Sequence, residues 1–124
     1  MNLYNMKEAK NNQITTIDAT GQSLGRLASE IALLLRGKRS PSFEPRTPGG
    51  GEVHVTHVQS LRLTGKKDAE KMKKFYSGYP SGLKHRSFRG LLSKDPERTL
   101  RRTVRGMMPN NRWRDRLLKN LKVE

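Results

Sequence analysis

The stretch QITTIDATGQSLGRLASEIALLLRGK, residues 13–38, decides the fold. Its first part sets Ile14, Ile17 and Ala19 among threonines, and that β-branched content predicts a strand. Beyond it, Leu24, Leu27, Ala28, Ile31, Leu34 and Leu35 recur at helical spacing, with Arg26, Ser29, Glu30 and Arg36 mainly elsewhere on the helix. Ser23 stands where a cap starts the helix, and Gly37 where a left-handed residue ends it. A strand feeding a helix within a few residues predicts an α/β unit.

The rest of the chain is read outward from this unit. Residues 39–52, RSPSFEPRTPGGGE, hold three prolines and three successive glycines and read as an exposed loop. VHVTHV, residues 53–58, reads as a strand, and LRLTGKK as a short strand running into a turn at Gly65. Residues 68–87 admit two readings. Met72, Phe75 and Tyr76 suit a helical face, whereas Lys71, Lys73 and Phe75 set against Met72, Lys74 and Tyr76 suit an extended ribbon. Gly78, Pro80 and Gly82 break any helix there and favour the extended form at the end of the segment.

SFRGLLSK then predicts a short helix capped by Ser87. DPERTLRRTVRG predicts a clearer helix, with Asp95 as cap, Pro96 first and Glu97 at the positive end of the dipole. Its apolar stripe is Leu100, Val104 and Met107, and Gly106 ends it. Asn111 is expected to cap a last helix with Trp113, Leu117 and Leu121 along one face. Residues 1–13 are polar and lack a period, so they read as an extension to a single domain of residues 14–124.

Charge dominates the composition. The 124 residues carry 26 Lys and Arg against 11 Asp and Glu, a net +15, with only 32% hydrophobic residues. Self-repulsion at that density disfavours the compact state until an anionic partner relieves it. The charge is also lopsided, because residues 1–65 hold 8 cations and 5 anions while residues 66–124 hold 18 and 6. The first half reads as scaffold and the second as the surface of a nucleic-acid binder. There is no Cys, which excludes disulfides and thiolate metal sites. No apolar run approaches the roughly 18 residues that span a bilayer, and residues 1–13 lack a signal-peptide core, so a cytoplasmic protein is expected.

Few residues suggest catalysis. Gly21 and Gly25 sit where phosphate-binding loops sit, yet fit neither GxGxxG nor GxxxxGK[ST]. His54, His57 and His85 are the only histidines, and the first two point to opposite faces of a strand, so no metal site is expected. Asp18 lacks any partner for acid–base work and reads as a strand-end hydrogen-bond acceptor. The basic clusters are the strong signal: Lys66, Lys67, Lys71, Lys73 and Lys74, then Lys84, His85, Arg86 and Arg89, then Arg98, Arg101, Arg102 and Arg105 as one helical stripe. Arg binds phosphate bidentately, and Tyr76, Tyr79 and Trp113 offer faces for bases, though the spacing of Trp113 with Leu117 favours the core.

These segments together resemble the large-subunit ribosomal protein thirteen family, the universal uL-thirteen family, in its bacterial form. The matching residues are IDATGQSLGRLASEIALLLRGK, the turn at Thr64, Gly65 and Lys67, SGYPSGLK, DPERTLRRTVRGMMP, and Leu121, Lys122 and Val123 near the end. They stand in the family's order with similar spacing from about Ile17 to Val123. The chain departs from the pattern at TPGGGE, where an acidic turn is usual, at His57 and Val58, where Asn-Ala is usual, and at NNRWRDR, where a glycine-containing segment is usual. It also ends at Glu124, where many relatives carry a further tail.

The resemblance implies a three-layer α/β/α fold around a small, mostly parallel sheet of about four strands. It implies a structural constituent of the large subunit that binds large-subunit ribosomal RNA beside neighbouring ribosomal proteins and supports assembly and translation. No catalysis, cofactor, metal, membrane or homo-oligomer is expected. The RNA contacts are expected at Lys38, Arg39, Lys66, Lys67, Gly78, Tyr79, Gly82, Lys84, Arg86, Arg102, Arg105, Arg112, Arg114, Arg116 and Lys119. Two rivals are weaker. A DNA-binding nucleoid protein lacks a helix-turn-helix or zipper pattern, and a nucleotide-using enzyme at residues 18–26 lacks the phosphate motif.

Overall fold

The computed structural model of the chain describes residues 13–46 and 49–124. The extension expected at the N-terminus therefore lies, but for Gln13, outside the described residues. The order begins β1 (Ile14–Asp18), α1 (Leu24–Arg36) and β2 (Glu52–Thr56), followed by a 3-10 turn at Val58–Ser60. A four-residue helix α2 (Lys67–Glu70) leads into a hairpin of β3 (Met72–Tyr76) and β4 (Leu83–Ser87). Helices α3 (Phe88–Lys94), α4 (Pro96–Met107) and α5 (Trp113–Lys119) follow, and β5 (Leu121–Val123) closes the chain.

The class is α/β, as expected. The main sheet has three parallel strands in the order β1-β2-β5, with Ile17 beside Val55 and Val53 beside Leu121. About four strands were expected. The segment read as a short strand at Leu61–Leu63 makes only an isolated parallel bridge, Ser23 to Arg62.

Val53 and Val55 alternate with half-exposed neighbours, so β2 turns one face inward. Against that face α1 buries Leu24, Leu27, Ala28, Ile31, Ala32 and Leu35, in one cluster with Leu100 and Val104 of α4 and Leu117 of α5. Each such Leu or Ile contributes roughly 1.5–3 kcal/mol relative to exposure. The outer face is polar, and there Lys122 of β5 reaches Glu52 of β2 at 3.1 Å. That hydrogen bond, with a second from His54, holds the Glu52 carboxyl below the usual carboxylate range.

Helix ends follow the sequence closely. Gly37 takes φ 72°, and its N–H and that of Lys38 return to Leu34 and Leu33. The same glycine is needed for packing, because a Cβ there would meet Gly50 N at 2.7 Å as the long loop passes. The Ser87 hydroxyl accepts from Gly90 N–H at 3.2 Å, and Pro96 opens α4. Ser23 and Asp95 hold cap positions without a side-chain cap bond.

Three placements differ from expectation. Leu121 was set on the last helix, but the chain leaves the helix at Asn120, whose carbonyl accepts from Val53 N–H at 3.0 Å, and Leu121 joins the sheet. Met107 was set in the stripe of α4. It is exposed, and Met108, one residue past the helix, is buried instead. The second strand stops at Thr56, and His57 turns the chain with φ 57°.

Candidate nucleic-acid interface

The basic half of the chain is built around the hairpin. Alternation on a ribbon puts Lys73, Phe75, Lys84 and Arg86 on one side and Met72, Lys74, Tyr76, Leu83 and His85 on the other. Lys73 stands directly opposite Arg86, a pairing that weakens a sheet. No residue of either strand is fully buried, and Phe75 is half-covered.

Phe75 is covered by cations. Arg86 lies 5.4 Å from its ring centre and Arg102 of α4 lies 5.7 Å away. Each contact is worth about 0.5–1 kcal/mol at an exposed site, so one phenyl ring holds two guanidiniums in place. Between hairpin and α4 opens a cleft of about 230 Å³, lined by Lys71, Lys73, Phe88 and Arg102 among others. Lys71 Nζ sits 4.5 Å over the Phe88 ring. A second cleft shares Lys71, Phe88 and Thr103 and runs on past Lys67 and Arg62 to the start of α1. The two make one furrow with a cationic rim.

The hairpin tip is shaped by two residues in the left-handed region, Gly78 at φ 85° and Ser81 at φ 63°. Gly82 N–H donates to the Tyr79 carbonyl at 2.9 Å. A Cβ on Gly82 would run into the Ser77 side chain and that carbonyl, so the turn requires glycine. Tyr79 stands out from the tip, 77% exposed.

The sequence-predicted contacts fall into three groups. Lys67 and Arg102 line the furrow, Lys66 precedes α2 beside Lys67, and Gly78, Tyr79, Gly82, Lys84 and Arg86 lie on the hairpin. Lys119 closes α5, and Arg105, Arg112, Arg114 and Arg116 stand where α4 ends and α5 begins. There Arg105 Nε is 3.4 Å from Asp115, and Arg116 lies 5.1 Å over the Trp113 ring, which itself packs on the core. Asn111 was expected to cap α5; the cap position is Arg112, and Asn111 Oδ1, one residue earlier, accepts from Arg114 N–H at 3.1 Å. Arg114 is half-buried, and its Nε has no partner among the described residues. Lys38 and Arg39 stand apart, at the far end of α1 from the furrow, roughly 20 Å along the helix, with Arg39 paired to Glu30 at 2.9 Å.

The four-arginine stripe of α4 divides. Arg101 turns inward, 3.0 Å from Glu97 and donating to the Leu118 carbonyl at 3.4 Å. No carboxylate among the described residues pairs with Arg98 or Arg102. Exposed ion pairs such as that of Arg105 contribute about 0–1 kcal/mol, so Asp115 holds this guanidinium only weakly.

Sequence reading did not single out Lys71, Lys73 and Arg62 as contacts. For Lys73 the signal was present, since ribbon alternation puts it beside Phe75. For Arg62 there was none, because only tertiary packing brings it to the furrow. Asp18 is the acceptor expected of it: Thr20 donates from its hydroxyl at 2.7 Å and its N–H at 3.0 Å, and His57 Nδ1 is 3.2 Å away. Among the described residues no cluster of His, Asp or Glu is placed to hold a metal, and no helix is long and apolar enough to cross a membrane.

A small α/β scaffold thus carries a cationic furrow and a basic hairpin with no fully buried residue. The sequence model of the family described as Ribosomal protein L13 matches residues 12–123. The chain is 50% identical over 107 residues to the large ribosomal subunit protein uL13 of Roseiflexus castenholzii, covering 86% of this chain and 73% of that protein. It is 47% identical to the uL13 proteins of Rubrobacter xylanophilus and Aquifex aeolicus, again over 86% of this chain, and over 75% and 74% of theirs. The chain belongs to the ribosomal protein L13 family, a family of structural proteins and not of enzymes.

Proposed function

We propose that this chain is a structural constituent of the large ribosomal subunit. It holds large-subunit ribosomal RNA on its basic surface, beside neighbouring ribosomal proteins, and supports subunit assembly and translation. The observation that carries the reading is the furrow between hairpin and α4, rimmed by Lys67, Lys71, Lys73 and Arg102, none of which forms an ion pair among the described residues. Cations held this close repel one another, and RNA phosphates relieve the repulsion while releasing counterions. Folded RNA is then recognised by backbone and shape. The contacts are assigned first to Lys66, Lys67, Lys84, Arg86 and Arg102 and to the backbone at Gly78 and Gly82. The α5 group of Arg105, Arg112, Arg114, Arg116 and Lys119 forms a second patch, and Lys38 with Arg39 a third.

The test is the salt dependence of binding to a large-subunit RNA fragment. The double variant Lys73→Ala/Arg102→Ala is expected to weaken binding and lower the salt slope by up to about two, one for each phosphate neutralised. An unchanged slope removes the furrow from the interface. Equal affinity for duplex DNA favours the nucleoid reading instead.

A further inference from the structure

The hairpin has a second side that phosphate binding does not explain. Tyr76 and Leu83 are cross-strand partners, and Met72 lies on the same side. They are 68%, 52% and 55% exposed, with Tyr79 at the tip more exposed still. The opposite side, with Phe75 between Arg86 and Arg102, has no such apolar surface. Four large apolar side chains in water on one short ribbon mark a surface made to be covered.

The chemistry of the partner follows from the charge around the patch. Residues 71–94 contain seven Lys and Arg and no Asp or Glu. Lys74 and His85, an opposed pair, stand within the apolar side itself. A neutral apolar partner would bury Lys74 without a counter-charge, which is costly. A single-stranded polyanion carries flat apolar groups and a phosphate at every step, and it meets both requirements.

We propose that the outer side of the β3–β4 hairpin is a stacking platform for unpaired RNA bases, with Tyr76 and Tyr79 as the stacking residues. Lys74 holds the intervening backbone, and Leu83 and Met72 floor the platform. The proposal rests on the RNA-binding reading above and adds the substrate class, an unpaired stretch as opposed to a helix. Stacking of this kind tolerates any base sequence.

The test uses the full chain and three short RNAs of about ten nucleotides, within the range one such platform spans: an unstructured strand, the same strand with abasic inner positions, and a duplex of equal length. The abasic strand is expected to bind about tenfold more weakly than the intact strand at equal salt, with the same salt slope, since its phosphates are retained. Y76L and Y79L, the latter at a tip where folding is not at stake, are each expected to shrink that difference while leaving affinity for the abasic strand unchanged. Equal binding of intact and abasic strands by the unaltered chain overturns the platform but leaves the RNA-binding reading standing. Absence of salt-dependent binding to any of the three overturns that reading itself. A concentration-dependent dimer that Y76L abolishes assigns the patch to a second copy and also overturns the proposal.

Discussion

Helix α1 and the β3–β4 hairpin are of similar chain length and are built on opposite terms. The helix turns six residues into the core, and the long loop passes close against its Gly37 end. The hairpin buries nothing completely, sets Lys73 against Arg86, and leaves its apolar residues in water. The helix satisfies itself within the chain. The hairpin is folded by its turn and its ladder, with Phe75 its only half-buried residue. The division is between elements and not halves of the chain, since Leu100, Val104, Leu117 and Leu121 of the basic half join α1 in the core while the hairpin stays outside it.

The sharpest way to break this comparison is to remove core volume from one region and apolar surface from the other. Leu27 is fully buried. Leu27→Ala is expected to destabilise the chain by about 3 kcal/mol, through lost burial plus the cavity left behind. Tyr76→Ser, on the exposed platform, is expected to stay within about 0.5 kcal/mol. Urea midpoints of the two variants at one pH decide it. A cost at Tyr76 near that at Leu27 would mean that the hairpin is a core element and not a binding surface.

A smaller effect sharpens the contrast with an opposite sign. Lys73→Glu replaces a like-charge cross-strand pair with an attractive one. It is expected to stabilise the free hairpin by up to about 0.5 kcal/mol, read as slower amide hydrogen exchange in β3 and β4, and at the same time to weaken RNA binding. Gain of stability with loss of affinity at one residue is the signature of a surface that holds repulsion in reserve for its ligand. If both fall together, Lys73 instead supports the hairpin.

How much was legible in the sequence depended on whether the determining contact was local. The first βα unit, Gly37, Ser87 and Pro96 were readable because a cap or a period lies within a few residues of its partner. The ribbon at residues 71–76 was readable only as one of two options, because the glycines and proline favoured the extended form only at the end of the segment. Leu121 was misplaced because Trp113, Leu117 and Leu121 keep a helical spacing, while the β-ladder that claims Leu121 is set by Val53, far away in sequence. Met107 and Met108 are adjacent methionines, and only the exact end of α4 decides which turns inward. The basic clusters were visible at once. Their sorting was not, because the partners of Arg39, Arg102 and Arg105 lie on other elements.

The smallest effect concerns the scaffold side, where Asp18 ties the end of β1 to the turn that follows it. The Thr20 hydroxyl, then the Thr20 N–H, and then His57 hold this carboxyl below the ordinary 3.8. A group depressed in the folded state binds protons more readily when unfolded, so its contribution is complete above the unfolded value and is lost as pH falls through the folded one. Asp18→Asn should therefore lower the urea midpoint slightly near neutrality, and the gap between variant and parent should close as the pH is taken below 3.8. The carboxyl is exposed, so the gap should also shrink in high salt as the His57 contribution is screened. A gap that persists unchanged at acid pH would show that the shape of the side chain, and not its charge, secures this turn. The scaffold half would then be free of pH-sensitive electrostatics at this position.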